Sequence, residues 1–581
     1  MLNKLLKKLR FSQTNVLIIM SVFVGFATAL GALGFIALIK YFNHLFFNLT
    51  DQILTEAIGT EGFNIKYWLP LIPLIGGLLV GPIVYKYSDE AKGHGVPEVM
   101  NAVARLGGII RPRVAAAKTI ASAICIGSGG SAGREGPIVQ IGSAIGSTIG
   151  QMFRMSGDRV KILVGCGAAA GISSVFNAPI AGVIFSLEII LGDYAITTFS
   201  PVLLSSVVAS VVTRSALGNH PAFEVPSYSL VSAWEIPLYV IMGIILGTVG
   251  VMFTRTLSLF EDWFDALKLK PMLKPALGGL LLGMIAIFYP QVLADGYETI
   301  KLTLYGQMAF WILVVLIVMK ILATSLTLGS GNSGGIFAPS LFMGAVAGGA
   351  FGFLVNQLYP GVTATPGAYA LVGMAGMVAA TTHAPITALL IIFEMTSDYR
   401  IILPLMVTVV FSALVARRLF PHSVYTVKLI RKGIDIRGGK DINVLKSHKV
   451  SEIMDTDFQT ITASTPLAVI LDLIEHSNET YYVVLDRNEH IKGVISLQDI
   501  RSVISQHSLD YLVIADDLLH KDFFVLKADN DLEEAFTQFG LQDLKLIPVV
   551  SDREENKIIG VIRRETLIDY YNKRLLETLR K

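Results

Sequence analysis

The sequence predicts a polytopic α-helical membrane protein, built from two related sets of broken helices and followed by a pair of small α/β modules in water. Composition, the distribution of charge and two internal duplications point to it. A chain of 581 residues that is 53% hydrophobic and only 16% charged, with a mean hydropathy of +0.61, is too apolar for a soluble globular protein. Residues 321–393 contain no Asp, Glu, Lys or Arg, whereas everything after about residue 436 is densely charged. One part therefore belongs in lipid and one in water. A net charge of +2 and a pI near 8.3 leave no large basic surface, which argues against nucleic acid as a partner. Cys125 and Cys166 both fall in apolar sequence and read as core residues, not as a disulfide framework or metal site.

Taken in order, Lys4, Lys7, Lys8 and Arg10 precede a run that is uncharged from Phe11 to Ile39. That run is longer than a signal-peptide core and has no small-residue cleavage pattern, so it reads as a retained first span with its basic flank in the cytosol. Further apolar segments fall at 67–85, 114–127, 137–153, 160–191, 197–218, 235–256, 274–292, 307–328, 336–358, 367–394 and 401–420. Crossing a hydrocarbon core of about 30 Å takes about 20 helical residues, so the shorter, Gly-interrupted segments imply half-spanning or tilted helices. Irregular backbone at membrane depth is tolerated only inside protein or along a polar cavity, and broken helices therefore point to a pathway. Arg417, Arg418, Lys428, Arg431 and Lys432 follow the last apolar segment and place the C-terminal end in the cytosol too, with the plasma (inner) membrane the expected location.

The membrane part repeats itself. Gly127-Ser-Gly-Gly-Ser-Ala-Gly-Arg-Glu-Gly-Pro137 matches Gly329-Ser-Gly-Asn-Ser-Gly-Gly-Ile-Phe-Ala-Pro339 at an offset of 202 (329 − 127). Phe176-Asn-Ala-Pro-Ile-Ala181 ahead of Glu188 matches Thr382-His-Ala-Pro-Ile-Thr387 ahead of Glu394 at an offset of 206 (394 − 188). Duplication with discontinuous helices is typical of transporter folds, whose binding sites form near the midplane from both halves. The repeat halves run from about 15 to 200 and from about 215 to 420. Residues 436–446, rich in Gly and charge, read as a linker. Beyond it, Tyr482-Val-Val-Leu485 with Gly493-Val-Ile-Ser496 is echoed by Pro548-Val-Val-Ser551 with Gly560-Val-Ile-Arg563, which divides the remainder into modules at 447–507 and 513–573.

Chemistry concentrates in the glycine turns. A turn that opens a helix leaves backbone N–H groups unpaired at the positive end of the helix dipole and so forms an anion site. Both repeat copies have this form, as does Gly93-His-Gly-Val-Pro97, where Pro97 suits a first helical turn. Three such turns converging on one anion would hold it without a lysine or arginine, weakly enough to let it leave. Gly-rich helix packing in membranes gives similar strings, and duplication is what favours the anion reading.

Gly93-His-Gly-Val-Pro97, Gly133-Arg-Glu-Gly-Pro137, Gly335-Ile-Phe-Ala-Pro339 and Ser423-Val-Tyr425 resemble, in chain order, the four signature segments of the CLC chloride channels and chloride/proton exchangers. The resemblance runs from about residue 15 to 435, within a CLC-like transport domain read as 1–435, and implies an inverted-repeat fold, a homodimer with one pathway per subunit, and chloride as the substrate. It also implies that the C-terminal modules are a CBS pair. Carried over residue by residue, Glu135 matches the gating glutamate, whose carboxylate competes with an anion for the outer site. A carboxylate among backbone N–H groups is stabilised much as chloride is, which supports that role; the alternative is a structural ion pair with Arg134. Ile336, Phe337 and Tyr425 match ligands of the central site, and His94 and Gly95 are the anion-binding candidates of the remaining segment.

Two positions depart from the family pattern. His94 stands where the family places an anion-binding serine, which puts anion selectivity in question. Exchangers usually carry two consecutive glutamates after the Asn-Ala-Pro helix, the second passing protons; here Glu188 is followed by Ile189, which carries none. The expectation is therefore a gated chloride channel, voltage- or pH-dependent, with a chloride/proton antiporter as the alternative. Glu188 recurs as Glu394 and reads as a structural residue at a helix end. In the first module, Gly493-Val-Ile-Ser-Leu-Gln-Asp499 resembles the CBS segment that holds a nucleotide ribose, so Ser496 and Asp499 are the candidates for an adenine nucleotide; the second copy loses the aspartate. No other cofactor, catalytic set or metal site is expected. A cation pathway would require acidic rings at midplane, and residues 321–393 offer none. An enzyme would require partners for His383, which has no nearby carboxylate or cysteine in sequence and reads as a helix cap. A membrane sensor has no need of duplicated broken helices.

Overall fold

The computed structural model describes residues 13–49, 68–218, 225–226, 228, 230–396, 398–431, 434, 445, 448–477, 481–487, 490–501, 512–520, 523–541, 545–551 and 557–580. The chain divides into two compact units, Met1–Ile434 and Asp435–Lys581.

The first unit is helical. Its first half runs α1 (Gln13–Asn43), α2 (Leu71–Pro82), α3 (Val96–Arg105), α4 (Pro112–Gly127), α5 (Glu135–Met152), α6 (Gly157–Phe176), α7 (Pro179–Phe185) and α8 (Ile196–Leu217). The second half repeats the order as α9 (Glu235–Ala266), α10 (Lys274–Phe288), α11 (Tyr297–Leu304), α12 (Phe310–Gly329), α13 (Phe337–Leu358), α14 (Pro366–Thr382), α15 (Pro385–Thr396) and α16 (Ile402–Leu419), and α17 (Val424–Arg431) closes the unit. Among the described residues, eight helices are long and apolar enough to cross a membrane.

Glycine lets the central helices approach each other's backbone. A Cβ on Gly142 of α5 would lie 2.2 Å from the Gly167 carbonyl of α6, and one on Gly344 of α13 would lie 2.4 Å from the Gly373 carbonyl of α14. This is the small-residue packing expected where lipid supplies no hydrophobic drive between helices. The apolar runs 160–191 and 367–394, each read as one segment, are each two helices. Asn177 (φ 57°) and His383 (φ 59°) take the left-handed conformation after α6 and α14, and the Ala-Pro that follows starts α7 and α15. Asn is one of the few residues that accepts this C-cap position; His383 is held there by the Arg417 guanidinium, which donates to its carbonyl at 2.6 Å.

The second unit holds two copies of one pattern. Strands β1 (Thr460–Thr462), β2 (Tyr481–Leu485) and β3 (Ile491–Ser496) form one sheet, and β4 (Leu526–Lys527), β5 (Leu546–Val550) and β6 (Ile558–Arg563) the other. In each, the first pair is parallel and the second antiparallel. Parallel pairing needs a crossover helix, supplied by Leu467–Glu475 and Leu532–Leu541. Val483 and Ile491 of the first module share an apolar cluster with Leu546, Val550 and Val561 of the second.

Candidate functional site

The three glycine turns meet. Gly133 N–H donates to the Gly335 carbonyl at 2.7 Å and Gly335 N–H returns to the Gly133 carbonyl at 2.6 Å, so the two repeat copies clasp each other directly. Gly93 N–H donates to the Asn332 carbonyl at 3.0 Å, and Gly334 N–H to the Gly93 carbonyl at 3.3 Å. The contact is too close for side chains: a Cβ on Gly136 would stand 2.4 Å from the His94 carbonyl oxygen. Hydroxyls secure the same junction, Ser122 with Ser333 at 2.9 Å and Ser131 with Thr324 at 3.1 Å, each pair joining the two halves. The N-termini of α3, α5 and α13 are thereby fixed at one place near the centre of the unit, which concentrates unpaired N–H groups and positive dipole ends without a mobile cation.

Glu135, the first residue of α5, is buried, and its Oε1 accepts a hydrogen bond from the Tyr297 hydroxyl at 2.7 Å. Its Oε2 lies against Gly133 and is buried without a hydrogen-bond partner. The Arg134 guanidinium stacks over the Tyr297 ring, 5.0 Å from its centre. His94 is buried, its ring 5.9 Å from that of Tyr425, and its Nδ1 has no hydrogen-bond partner. Tyr425 is the second residue of α17 and equally buried. Gly95 (φ 82°) caps α3, Ile336 caps α13 and Phe337 begins it. His94, Gly95, Glu135, Ile336 and Phe337 thus belong to the interlocked turns, and Tyr425 adjoins them through His94.

Ile189 is buried, and Glu188 is committed elsewhere. Its carboxylate accepts from Thr387 N–H (2.7 Å), Thr387 Oγ1 (2.6 Å) and Ile386 N–H (3.3 Å) at the start of α15. Glu394 does the same for α7, accepting from Ile180 N–H at 3.0 Å and Ala181 N–H at 2.6 Å. Each half caps a helix of the other, the arrangement that charge-assisted bonds at helix N-termini favour.

Sequence reasoning missed two buried lysines and a tyrosine. Lys118 Nζ donates to the carbonyls of Ala91 (3.0 Å) and Gly93 (2.6 Å), just ahead of α3. Lys320 Nζ donates to those of Val292 (2.9 Å) and Ala294 (3.0 Å), just ahead of α11, where Tyr297 begins the helix. The signal was present: 320 − 118 is 202, the offset of the glycine motifs, and Gly296, which caps α11, follows Gly95 by 201 (296 − 95).

In the second unit, Ser496 donates through N–H (2.8 Å) and Oγ (2.6 Å) to Asp499 Oδ2, and His520 Nε2 lies 2.7 Å from Oδ1. Burial pushes the Asp499 carboxyl up, but the bonds from Ser496 and His520 outweigh it and hold it below the usual aspartate range. At the second copy, Arg563 forms an ion pair with Asp455.

A helical membrane unit with an acid-bearing junction of helix N-termini, joined to paired α/β modules, has the architecture of an anion-transport protein with an appended module pair. The family model described as voltage gated chloride channel matches residues 76–417, and that for the CBS domain matches 450–506 and 515–573. The chain belongs to the CLC family of anion-transport proteins and carries a tandem CBS pair, with the inverted-repeat fold of that family. It is 33% identical over 394 residues to the H(+)/Cl(-) exchange transporter ClcA of Vibrio campbellii, covering 66% of this chain and 84% of that protein. With chloride channel protein CLC-f of Arabidopsis thaliana it shares 32% identity over 500 residues, 75% of this chain and 63% of the relative. A crystal structure of a slow cyanobacterial Cl-/H+ antiporter superposes with a TM-score of 0.66 at 29% identity, covering 72% of this chain and 97% of the antiporter.

Proposed function

We propose that the protein conducts chloride passively through the junction of α3, α5 and α13, with Glu135 as its gate. The observation that carries this reading is the Glu135 carboxylate itself, buried among those helix N-termini. A carboxylate and a chloride ion compete for the same donors, so protonating or withdrawing Glu135 admits the anion. Backbone N–H groups around Gly95, Ile336 and Phe337, with the Tyr425 hydroxyl and His94 Nδ1, are the donors for the anion further in. Ile189 favours conduction without proton coupling, because its buried position offers no titratable group and the adjacent Glu188 is used to cap α15. The second reading, chloride/proton antiport, is favoured by what the Vibrio relative and the cyanobacterial structure are named for.

Around this pathway we place a homodimer in the plasma membrane with both ends cytosolic, on the family resemblance and the basic flanks at Lys4–Arg10 and Arg417–Lys432. Light scattering in detergent and protease access to residues 436–581 in sealed vesicles check stoichiometry and sidedness.

The gate is tested by chloride efflux from liposomes. Replacing Glu135 with Gln mimics the protonated gate, so efflux at neutral pH rises by roughly tenfold or more and its pH dependence disappears. Wild-type efflux at every pH from a folded E135Q protein contradicts the assignment.

A further inference from the structure

We propose that Tyr297 is the latch of the Glu135 gate and that Lys320 holds the latch in place. The inference rests on the gating reading above and adds a positioning pair from the second half. Tyr297 Oη donates to Glu135 Oε1 at 2.7 Å, and it is the side-chain donor the structure gives that carboxylate. A hydrogen bond to the charged form of an acid favours that form. Tyr297 therefore stabilises the ionised carboxylate in its docked position, the one that excludes chloride.

The segment that delivers the hydroxyl is held against its own preference. Ala294 takes φ 50° and Gly296 φ 78°, so an alanine sits in the left-handed region that favours glycine. Such conformations persist where the surroundings over-determine them, and they cluster at functional positions. Two bonds hold this one: Lys320 Nζ to the Ala294 carbonyl, and Ala294 N–H to the Gly129 carbonyl at 3.0 Å. The counterpart of Ala294 in the first half is Gly93 (294 − 93 = 201), which also has positive φ and whose carbonyl Lys118 grips. One device thus serves two ends: Lys118 shapes the turn bearing His94, and Lys320 shapes the turn bearing Tyr297. Lys320 is fully buried, with Phe342 4.8 Å from its ammonium, and it does not touch Glu135. Its action on the gate passes through the backbone of residues 292–297.

The charged and titratable groups facing Glu135 are Arg134 on its own helix, Asp295 and Tyr297 ahead of and on α11, and Tyr425 on α17. Tyr297→Phe removes one hydroxyl and leaves the others in place.

Chloride efflux is measured from liposomes between about pH 4 and about pH 8 for the full chain as wild type, Tyr297→Phe, Glu135→Gln and the double variant. Losing the donor weakens docking by about tenfold, so the pH of half-maximal efflux in Tyr297→Phe moves up by about one unit. In the Glu135→Gln background the same change alters efflux by less than about twofold, because a latch has nothing left to hold. Lys320→Met shifts the profile in the same direction and is likewise silent with Glu135→Gln. If Glu135→Gln abolishes pH dependence while Tyr297→Phe and Lys320→Met both keep the wild-type profile, the latch is wrong and the gate stands. If Glu135→Gln keeps the wild-type profile, the gate itself fails and the latch with it. A Tyr297→Phe effect of equal size with and without Glu135 would make the tyrosine merely structural and overturn the proposal.

Discussion

The proposed gate is a single buried carboxylate, Glu135, at the first residue of α5. Burying a lone carboxylate is costly unless hydrogen bonds replace its water; here the Tyr297 phenol donates to Oε1, while Oε2 is buried without a hydrogen-bond partner at the junction of helix N-termini. On the proposed reading the same junction is the site an anion would use, and the two compete there. Asp499 solves the same problem differently. Its oxygens are satisfied by Ser496, at the end of β3, and by His520. Titrating the full-length protein with ATP, ADP and AMP in a calorimeter is expected to release heat that Asp499→Ala abolishes; no heat from any of the three would exclude a nucleotide there. Because the folded Asp499 carboxyl lies below its ordinary value of about 3.9, its stabilising bonds are fully present above that pH. They are lost as the pH falls through the folded value, which places nucleotide titrations safely near neutrality. Glu135, His94 and Tyr425 were legible in the sequence because each sits inside a short motif. Tyr297 was not, because the bond it makes joins residues 162 positions apart, and no local pattern marks that.

Elements meet through their smallest residues. Gly142 and Gly344 bring α5 onto α6 and α13 onto α14 at positions related by the repeat offset (344 − 142 = 202). Gly142→Ala forces a methyl onto the Gly167 carbonyl and is expected to destabilise the unit by about 1–3 kcal/mol. Gly344→Ala is expected to cost a similar amount, since the contact it meets is equivalent. Thermal unfolding in detergent, followed by tryptophan fluorescence, measures both; an unchanged midpoint for either would show that the backbones can part without penalty. The broken helices were expected from the sequence, but the breaks at Asn177 and His383 were hidden inside continuous apolar runs. Hydropathy is blind to a single left-handed residue when both flanks stay in protein. The short helices α3 and α11 were likewise invisible as apolar segments, since each is a half-span carrying charge, Glu98 and Arg105 in one, Glu298 and Lys301 in the other.

At the scale of the whole molecule, the duplication explains more than the repeated motif. Each half caps a helix of the other through Glu188 and Glu394, each clasps the other at Gly133 and Gly335, and each carries one buried lysine shaping one turn. The halves differ at the proposed gate. The position equivalent to Glu135 is Phe337 (337 − 135 = 202), so only one half carries a carboxylate at the position proposed as the gate. The proposed passive mode rests on Ile189, since proton coupling needs an internal titratable relay. The central claim, passive chloride conduction, is tested most directly by the reversal potential of the purified protein in a planar bilayer under a chloride gradient, repeated with a pH gradient superimposed. A passive conductor gives a potential fixed by chloride alone and unmoved by the pH gradient; a shift with pH would contradict passive conduction and make the protein a coupled exchanger with a proton route that bypasses residue 189.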